Sequence, residues 1–265
     1  MDITRYTVQD RRLSPFVKFF WELHTSDETI SHKLLPTDNV DIILNLGDEI
    51  VYTVGSEVIT APKVHINGPR SGHSFIHQSG NIHVIGISCY SYGLYPFIRH
   101  SMADIKDRVV DLYSISSILA QELDLALLNE NYIRNIERLL MMALPQDESF
   151  SDRFSLLKTF INHDESSKIQ DFCNHHNISI KTFERHCITY TGYTPTMLRR
   201  IHRFQAVSNQ IVHQHPGNLT DVAYSNAYAD QAHLIRDFKS FTGEAPRSFT
   251  RQRISVKENA IYTYI

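Results

Sequence analysis

Apolar positions change their period partway along the chain. Between Phe16 and Tyr90 they fall in short runs, FVKFFWEL, NVDIILNL, IVYTV and HVIGISCY. Turn formers separate them at Leu46-Gly47-Asp48, Asn67-Gly68-Pro69 and Ser79-Gly80-Asn81. Short β-branched and aromatic runs between such clusters predict a mostly antiparallel sheet. Past Gly93 the spacing lengthens. Ile115, Leu119, Leu123 and Leu127 recur every four residues, and Ile133, Ile136, Leu139 and Leu140 recur at three and four. These spacings predict amphipathic helices over about 115–128 and 131–143. Pro145-Gln-Asp-Glu-Ser149 reads as a linker, and the chain beyond it is helical to about Arg253.

The last hundred residues hold one pattern twice. Leu219, Val222 and Ala223 make one apolar face, with Asn218 before them as N-cap and Asp221 in the first turn, where a carboxylate favours the helix start. Asp230 opens a second helix with a buried stripe of Leu234, Phe238 and Phe241. Gly243 stops it as a left-handed cap. Small Ala223 and Ala227 let the two helices cross closely, giving a helix-turn-helix. The earlier copy has a capping box at Ser167 and Gln170 and an apolar face of Ile169, Phe172 and Cys173. Its second helix is capped by Ser179 and buries Phe183, Cys187 and Tyr190. Thr191-Gly192-Tyr-Thr-Pro195 repeats as Thr242-Gly243-Glu-Ala-Pro246 at an offset of 51, while Cys173 and Ala223 are offset by 50 because the second turn is one residue longer. Such self-similarity marks an internal duplication. Between the copies Thr194 caps, and Pro195 starts, a helix with Leu198, Ile201, Phe204, Val207 and Ile211 on one face, ended by His215-Pro216-Gly217.

Charge sharpens this division. Residues 1–150 hold 12 Lys/Arg and 19 Asp/Glu, a balance of −7, whereas residues 151–253 hold 13 and 9, a balance of +4. A basic half on an acidic half suggests that the C-terminal part meets a polyanion. No apolar run is long enough to span a membrane, and the first residues lack the apolar core of a secretory signal. Cys89, Cys173 and Cys187 sit among apolar neighbours with no CxxC, so buried free thiols in a reducing cytoplasm are expected.

From about Ser155 to Arg253 the sequence closely resembles the DNA-binding domain of AraC/XylS-type transcription regulators. The match is carried by Ala227-Tyr-Ala-Asp-Gln-Ala-His-Leu-Ile-Arg-Asp-Phe-Lys239 and Phe241-Thr-Gly-Glu-Ala-Pro246. The resemblance implies two helix-turn-helix units joined by one long helix, each second helix entering the major groove of double-stranded DNA. This sequence departs from the family pattern at Ala227, where a glycine is usual, and at Cys173, Cys187 and Leu234, which stay small or apolar. If position 227 needs positive φ, an alanine there strains the turn. The resemblance places Lys181, Glu184 and Arg185 at base-reading positions of the first unit, and Gln231, Ala232, His233 and Arg236 at those of the second. Arg suits guanine, Gln adenine and Glu cytosine, and Ala232 has only a thymine methyl to touch. Arg199, Arg200, Arg203, Lys239 and Arg247 are the phosphate-contact candidates, with Arg203 also placed to pair with a carboxylate. RNA polymerase is a further partner that such regulators imply.

The N-terminal part resembles the cupin-like sensory or oligomerisation domains that precede this unit. More narrowly, Pro15-Phe-Val-Lys-Phe-Phe-Trp-Glu-Leu23, Leu35-Pro-Thr-Asp38, Ile43-Leu-Asn-Leu-Gly-Asp48 and Gly68-Pro69 resemble an uncharacterised N-terminal domain found on some of these regulators. The resemblance implies a sensor, with a small-molecule effector that the residues do not identify. The expected fold is therefore α+β. A β-rich domain spans 1–112, a helical connector or dimerisation segment 113–150, the DNA-binding domain 151–253 and a tail 254–265. The apolar stripes of 115–128 and 131–143 suit a homodimer or packing on their own sheet. Trp21, Phe19, Phe20 and Tyr90 suit a core or an aromatic-lined pocket.

His65, His73, His77 and His83 cluster in sequence without the HxH-plus-Glu arrangement of metal-binding cupins, so surface or core histidines are expected and no metal or cofactor. GxSxG, P-loop, HExxH and GxGxxG are absent. A second reading makes the N-terminal half a catalytic module tethered to DNA. It needs a reactive cysteine, for which Cys89 in the apolar run VIGISCY is the one available. A third has a regulator that binds as a monomer without ligand.

Overall fold

The computed structural model describes residues 3–128, 130–145, 148–161, 168–214, 218–249, 254–257 and 260–264. The strands are β1 (Ile3–Thr7), β2 (Val17–Leu34), β3 (Asn39–Asn45), β4 (Ile50–Val54), β5 (Glu57–Thr60), β6 (Val64–Asn67), β7 (Ser74–Tyr90) and β8 (Val109–Asp111), with β9 (Ile254–Lys257) and β10 (Ala260–Tyr264) near the C-terminus. The helices are α1 (Tyr95–Ile98), α2 (Leu112–Ile115), α3 (Ser117–Ala126), α4 (Tyr132–Ala143), α5 (Glu148–Ile161), α6 (Ile169–His175), α7 (Ile180–Thr191), α8 (Pro195–Gln214), α9 (Leu219–Ser225), α10 (Gln231–Thr242) and α11 (Pro246–Phe249). Among the described residues no helix is long and apolar enough to cross a membrane.

The antiparallel sheet expected for the first ninety residues is present, built on two strands longer than the sequence runs suggested. β2 and β7 pair along their length. Ser79-Gly80-Asn81, expected as a turn, lies inside β7. There the register against β2 shifts between Thr25 and Glu28, Asp27 takes φ 56° and Gly80 φ 93°. An added Cβ on Gly80 would stand 2.3 Å from the Asp48 carboxylate. The pair therefore kinks where it was expected to end, as a bulge bends a ladder. On one side of the kink β7 pairs with β3, and on the other with β4. β4 folds over the sheet until the Tyr52 hydroxyl lies 3.1 Å from His65 Nε2.

Strand alternation gives the sheet two buried faces. Phe20, Val40, Ile42, Leu44, Ile85 and Ile87 pack under Leu119, Leu123, Ile136 and Leu140 of α3 and α4. Of the two uses left open for those helical stripes, packing on their own sheet is the one seen. Leu23, Ile43 and Val84 face the other way, towards Ile30, Ile50 and Tyr52. Trp21 is half-buried on this second face and lies over Gly86, where a Cβ would stand 1.9 Å from the indole. Glycine is required there because another side chain occupies the space.

The linker expected at 145–149 is shorter than that, since α5 begins at Glu148; its Gln146 and Asp147 lie outside the described residues. Within the expected 254–265 tail, β9 and β10 pair antiparallel, and β10 pairs β2 from Tyr262 to Tyr264. The helical half has its own core, in which Leu198, Ile201, Phe204, Val207 and Ile211 of α8 are all buried, as their spacing predicts. That core is continuous with the sheet domain through Leu35 and Tyr92. The Phe154 ring of α5 packs edge-on or tilted against Phe16, Tyr92 and Tyr190, with centroids 5.3–5.9 Å apart, and so joins the two halves.

Candidate nucleic-acid interface

The duplicated pattern builds two equivalent helix pairs, α6–α7 and α9–α10. α7 and α10 each have 12 residues. The Ser179 hydroxyl accepts from the Thr182 N–H, and the Asp230 carboxylate from the His233 N–H, so both helices start on a side-chain cap. Each such cap contributes about 1 kcal/mol. Both helices stop on a left-handed glycine, Gly192 at φ 76° and Gly243 at φ 79°. The threonine before each donates back into its helix, Thr191 to Cys187 O at 2.7 Å and Thr242 to Phe238 O at 2.9 Å. Each also accepts from the N–H two residues on, at 3.1 Å in both cases. The offset of 51 is thus a repeat in hydrogen bonding as well as in letters.

The turns inside the pairs differ as the sequence suggested. Asn177 takes φ 51° in the first and Ala227 φ 54° in the second, at an offset of 50. Asn tolerates the left-handed region and Ala does not, so Ala227 is held there at a cost. Ala227 is exposed, which corrects its expected part in the close helix crossing; Ala223 alone is buried there. Of the expected capping box only Gln170 lies within the described residues. Lys168 is the N-cap of α6 and makes no side-chain cap bond, and Gln170 donates to Asn174. Ser167 itself, and the expected helix end at His215-Pro216-Gly217, lie outside the described residues.

On α7, burial of Phe183, Cys187 and Tyr190 turns Lys181, Glu184 and Arg185 outward, and all three are exposed. On α10, Ala232 and Arg236 are exposed, while Gln231 and His233 are half-buried. The Gln231 side-chain carbonyl accepts from Thr220 at 3.1 Å, and the His233 ring packs edge-on against Tyr228. The two helices therefore offer unequal faces, the first rich in charge and the second narrowed towards Ala232 and Arg236.

The phosphate candidates divide as well. Arg200 holds Asp237 at 2.7 Å and donates to Ser240, and it lies over the Phe241 ring. Arg203 stands 4.0 Å from the same carboxylate, donates to Ala227 O and lies over Tyr228. Arg199 stacks on Phe160. These three are engaged within the domain, whereas Lys239 and Arg247 are exposed. Asp237, 6% exposed on α10, is the residue sequence reasoning passed over. Its signal was legible, since it lies on the same helical face as the core residues Leu234, Phe238 and Phe241. A buried carboxylate needs a partner, and α8 supplies two arginines. Ile188, at 38% exposure on α7, and Tyr224, at 64% on α9, were also passed over.

The histidines disperse. His65 is buried on Tyr52, His73 meets the helical half, His77 is exposed beside Ser31, and His83 pairs with Glu22 at 2.9 Å. Among the described residues no group of three or more His, Cys, Asp or Glu could hold a metal ion. The three cysteines are free and buried.

Residues 172–252 match a family model described as a helix-turn-helix domain, and residues 10–111 one described as a domain of unknown function (DUF6597). Both resemblances read from the sequence are borne out by these matches. Over 90 residues the chain is 28% identical to the HTH-type transcriptional regulator RipA of Corynebacterium diphtheriae. That alignment covers 34% of this chain and 26% of the relative, so the chain spans about a quarter of its length. Among solved structures, ToxT from Vibrio cholerae is similar at 11% identity, 84% of this chain, 96% of that chain and a TM-score of 0.44. Wild-type ToxT with unsaturated fatty acid bound is similar at 12%, 87%, 93% and 0.42.

Proposed function

We propose that this protein is a sequence-specific DNA-binding transcription regulator of the AraC/XylS type. The observation that carries the reading is the pair of α7 and α10. They are capped alike, stopped alike and joined by one helix, and each turns an arginine outward at the same place, Arg185 and Arg236. α8 has 20 residues and is about 30 Å long, close to the 34–36 Å between successive major grooves on one face of a duplex. Lys181, Glu184 and Arg185 read one groove, and Ala232 and Arg236 the next, with Gln231 and His233 at the margin. Lys239 and Arg247 meet phosphates. Arg200 and Arg203, through Asp237, hold α10 on α8 and so position the second reading helix.

The N-terminal domain senses a small molecule or dimerises. Its interior supports sensing: Tyr52, His65 and Asn67 form a buried, hydrogen-bonded polar cluster. A homodimer and RNA polymerase are the further partners of such a regulator, and its place is the cytoplasm. The reading is non-enzymatic. Cys89, which the catalytic alternative needs, is fully buried, and burial pushes its thiol well up from the ordinary value. A thiol that stays protonated is a poor nucleophile.

Selection of bound fragments from a random duplex pool tests the reading. The wild type enriches two short blocks about 10 base pairs apart, and Arg185→Ala and Arg236→Ala each blur one block. Retention of fragments without a motif, equally by all three proteins, refutes it.

A further inference from the structure

Both reading helices end against the N-terminal domain. Beside the first, the Met102 N–H donates to Thr189 O at 2.9 Å, and the buried Tyr193 hydroxyl donates to Arg70 O at 2.9 Å. A Cβ on Gly192 would stand 2.9 Å from Met102 O and 3.0 Å from Pro69. Beside the second, Lys33 pairs with Glu244 at 2.9 Å, with side chains 11% and 16% exposed. A Cβ on Gly243 would stand 2.8 Å from the His73 ring. The two glycines do more than stop their helices, because each admits the other domain where a side chain would block it.

One segment, Pro69 to His73, supplies part of both contacts. It touches the first unit through Pro69 and Arg70 and the second through His73. It is itself pinned. Asp107 N–H donates to Pro69 O at 2.7 Å, and the Asp107 carboxylate accepts from the Ser71 N–H and hydroxyl at 2.6 Å each. Gly68 packs so tightly on Ile105 O that a Cβ there would stand 1.9 Å away. A third contact reaches the linking helix, where Gln205 donates to Asp38, itself paired with Lys18 at 2.8 Å.

We propose that the N-terminal domain is a brace which fixes the separation and orientation of the two reading helices, held at their C-terminal turns by the pinned 69–73 segment and the Lys33–Glu244 pair. A single linking helix bends, but a third side closed by a rigid loop stops it. Lys181, Glu184, Arg185, Ala232 and Arg236 stay exposed while the helix ends are held. The inference rests on the DNA-binding reading for its purpose, and its geometry is tested without DNA.

Ile188 and Lys239 occupy equivalent, exposed positions on α7 and α10. With the native cysteines buried, Ile188→Cys plus Lys239→Cys accepts two spin labels selectively. Pulsed dipolar spectroscopy of the full chain is expected to give one narrow distance. Lys33→Glu is expected to broaden it at least twofold, and Glu244→Lys added to Lys33→Glu to narrow it again. Tyr193→Phe, which removes one hydroxyl and no charge, gives the same broadening without risking the fold. An unchanged width in both Lys33→Glu and Tyr193→Phe overturns the brace. On the selected DNA site, inserting one base pair between the blocks is expected to cost the wild type at least about tenfold in affinity, and Lys33→Glu less than about threefold. A gain of affinity by Lys33→Glu at every spacer, with spacing preference intact, would make the contact an inhibitory latch and overturn the proposal. Loss of all specific binding by the wild type counts against the regulator reading and leaves the label distance to decide the brace.

Discussion

Ala227 is the place where the chain most plainly carries strain. Its φ of 54° lies where an L-residue costs roughly 1–2 kcal/mol, and Asn177 meets the same demand with a side chain that tolerates it. Ala227→Gly relieves the strain but adds freedom to the unfolded chain, so a net gain of about 0.5–1 kcal/mol is expected in urea denaturation. The sequence exposed this site, since an alanine stands where the resembling family has glycine. It could not show that Ala227 is exposed, because a small residue reads alike in a packed crossing and an open turn. Two buried histidines give the molecule an acid-sensitive point. Burial lowers His32 and His65 to about 4 each. In the unfolded chain they titrate near 6.5, so between these values the unfolded state binds more protons and stability falls as pH drops. Their stabilisation is complete above pH 6.5 and lost by pH 4, at most roughly 3 kcal/mol per residue. Urea midpoints from pH 7 to 4 should fall accordingly, and the His65 ring resonances should not titrate until near pH 4.

At the scale of elements, caps and stripes were the most legible features. Ser179, Asn218 and Asp230 cap as their positions foretell, because the signal is local and needs only a short polar side chain before an apolar stripe. Ser179→Ala and Asp230→Ala are each expected to cost about 1 kcal/mol in thermal or urea unfolding, with more loss of helical hydrogen-exchange protection in the unit carrying the change. Strand length was less legible. The run from His24 to Leu34 is largely polar, and Ser79-Gly80-Asn81 has turn chemistry, yet β2 and β7 pass through both. The kink uses the turn residues inside a ladder, a choice made by pairing partners far away in sequence. Asp237 sits between these cases. Its place on the core side of α10 is periodic, but its arginine partners lie on another helix. Asp237→Ala leaves Arg200 and Arg203 without their shared carboxylate, and a loss of about 3 kcal/mol is expected in urea unfolding.

The whole molecule joins what the sequence divided. Texture and charge separate an acidic β half from a basic helical half, and the family matches follow the same division. The joint had no sequence signal, because Phe16, Tyr92, Phe154 and Tyr190 come from four separate stretches with no common period. A shared core predicts one cooperative unfolding transition, with calorimetric and van't Hoff enthalpies in agreement, where independent halves would give two. This joined body is proposed to present two reading helices to successive grooves. Hydroxyl-radical footprinting on a selected duplex tests it most directly. Two protected patches about one helical turn apart on one face are expected, with Arg185→Ala clearing one and Arg236→Ala the other. A single patch, or two that both arginine changes weaken alike, would contradict it.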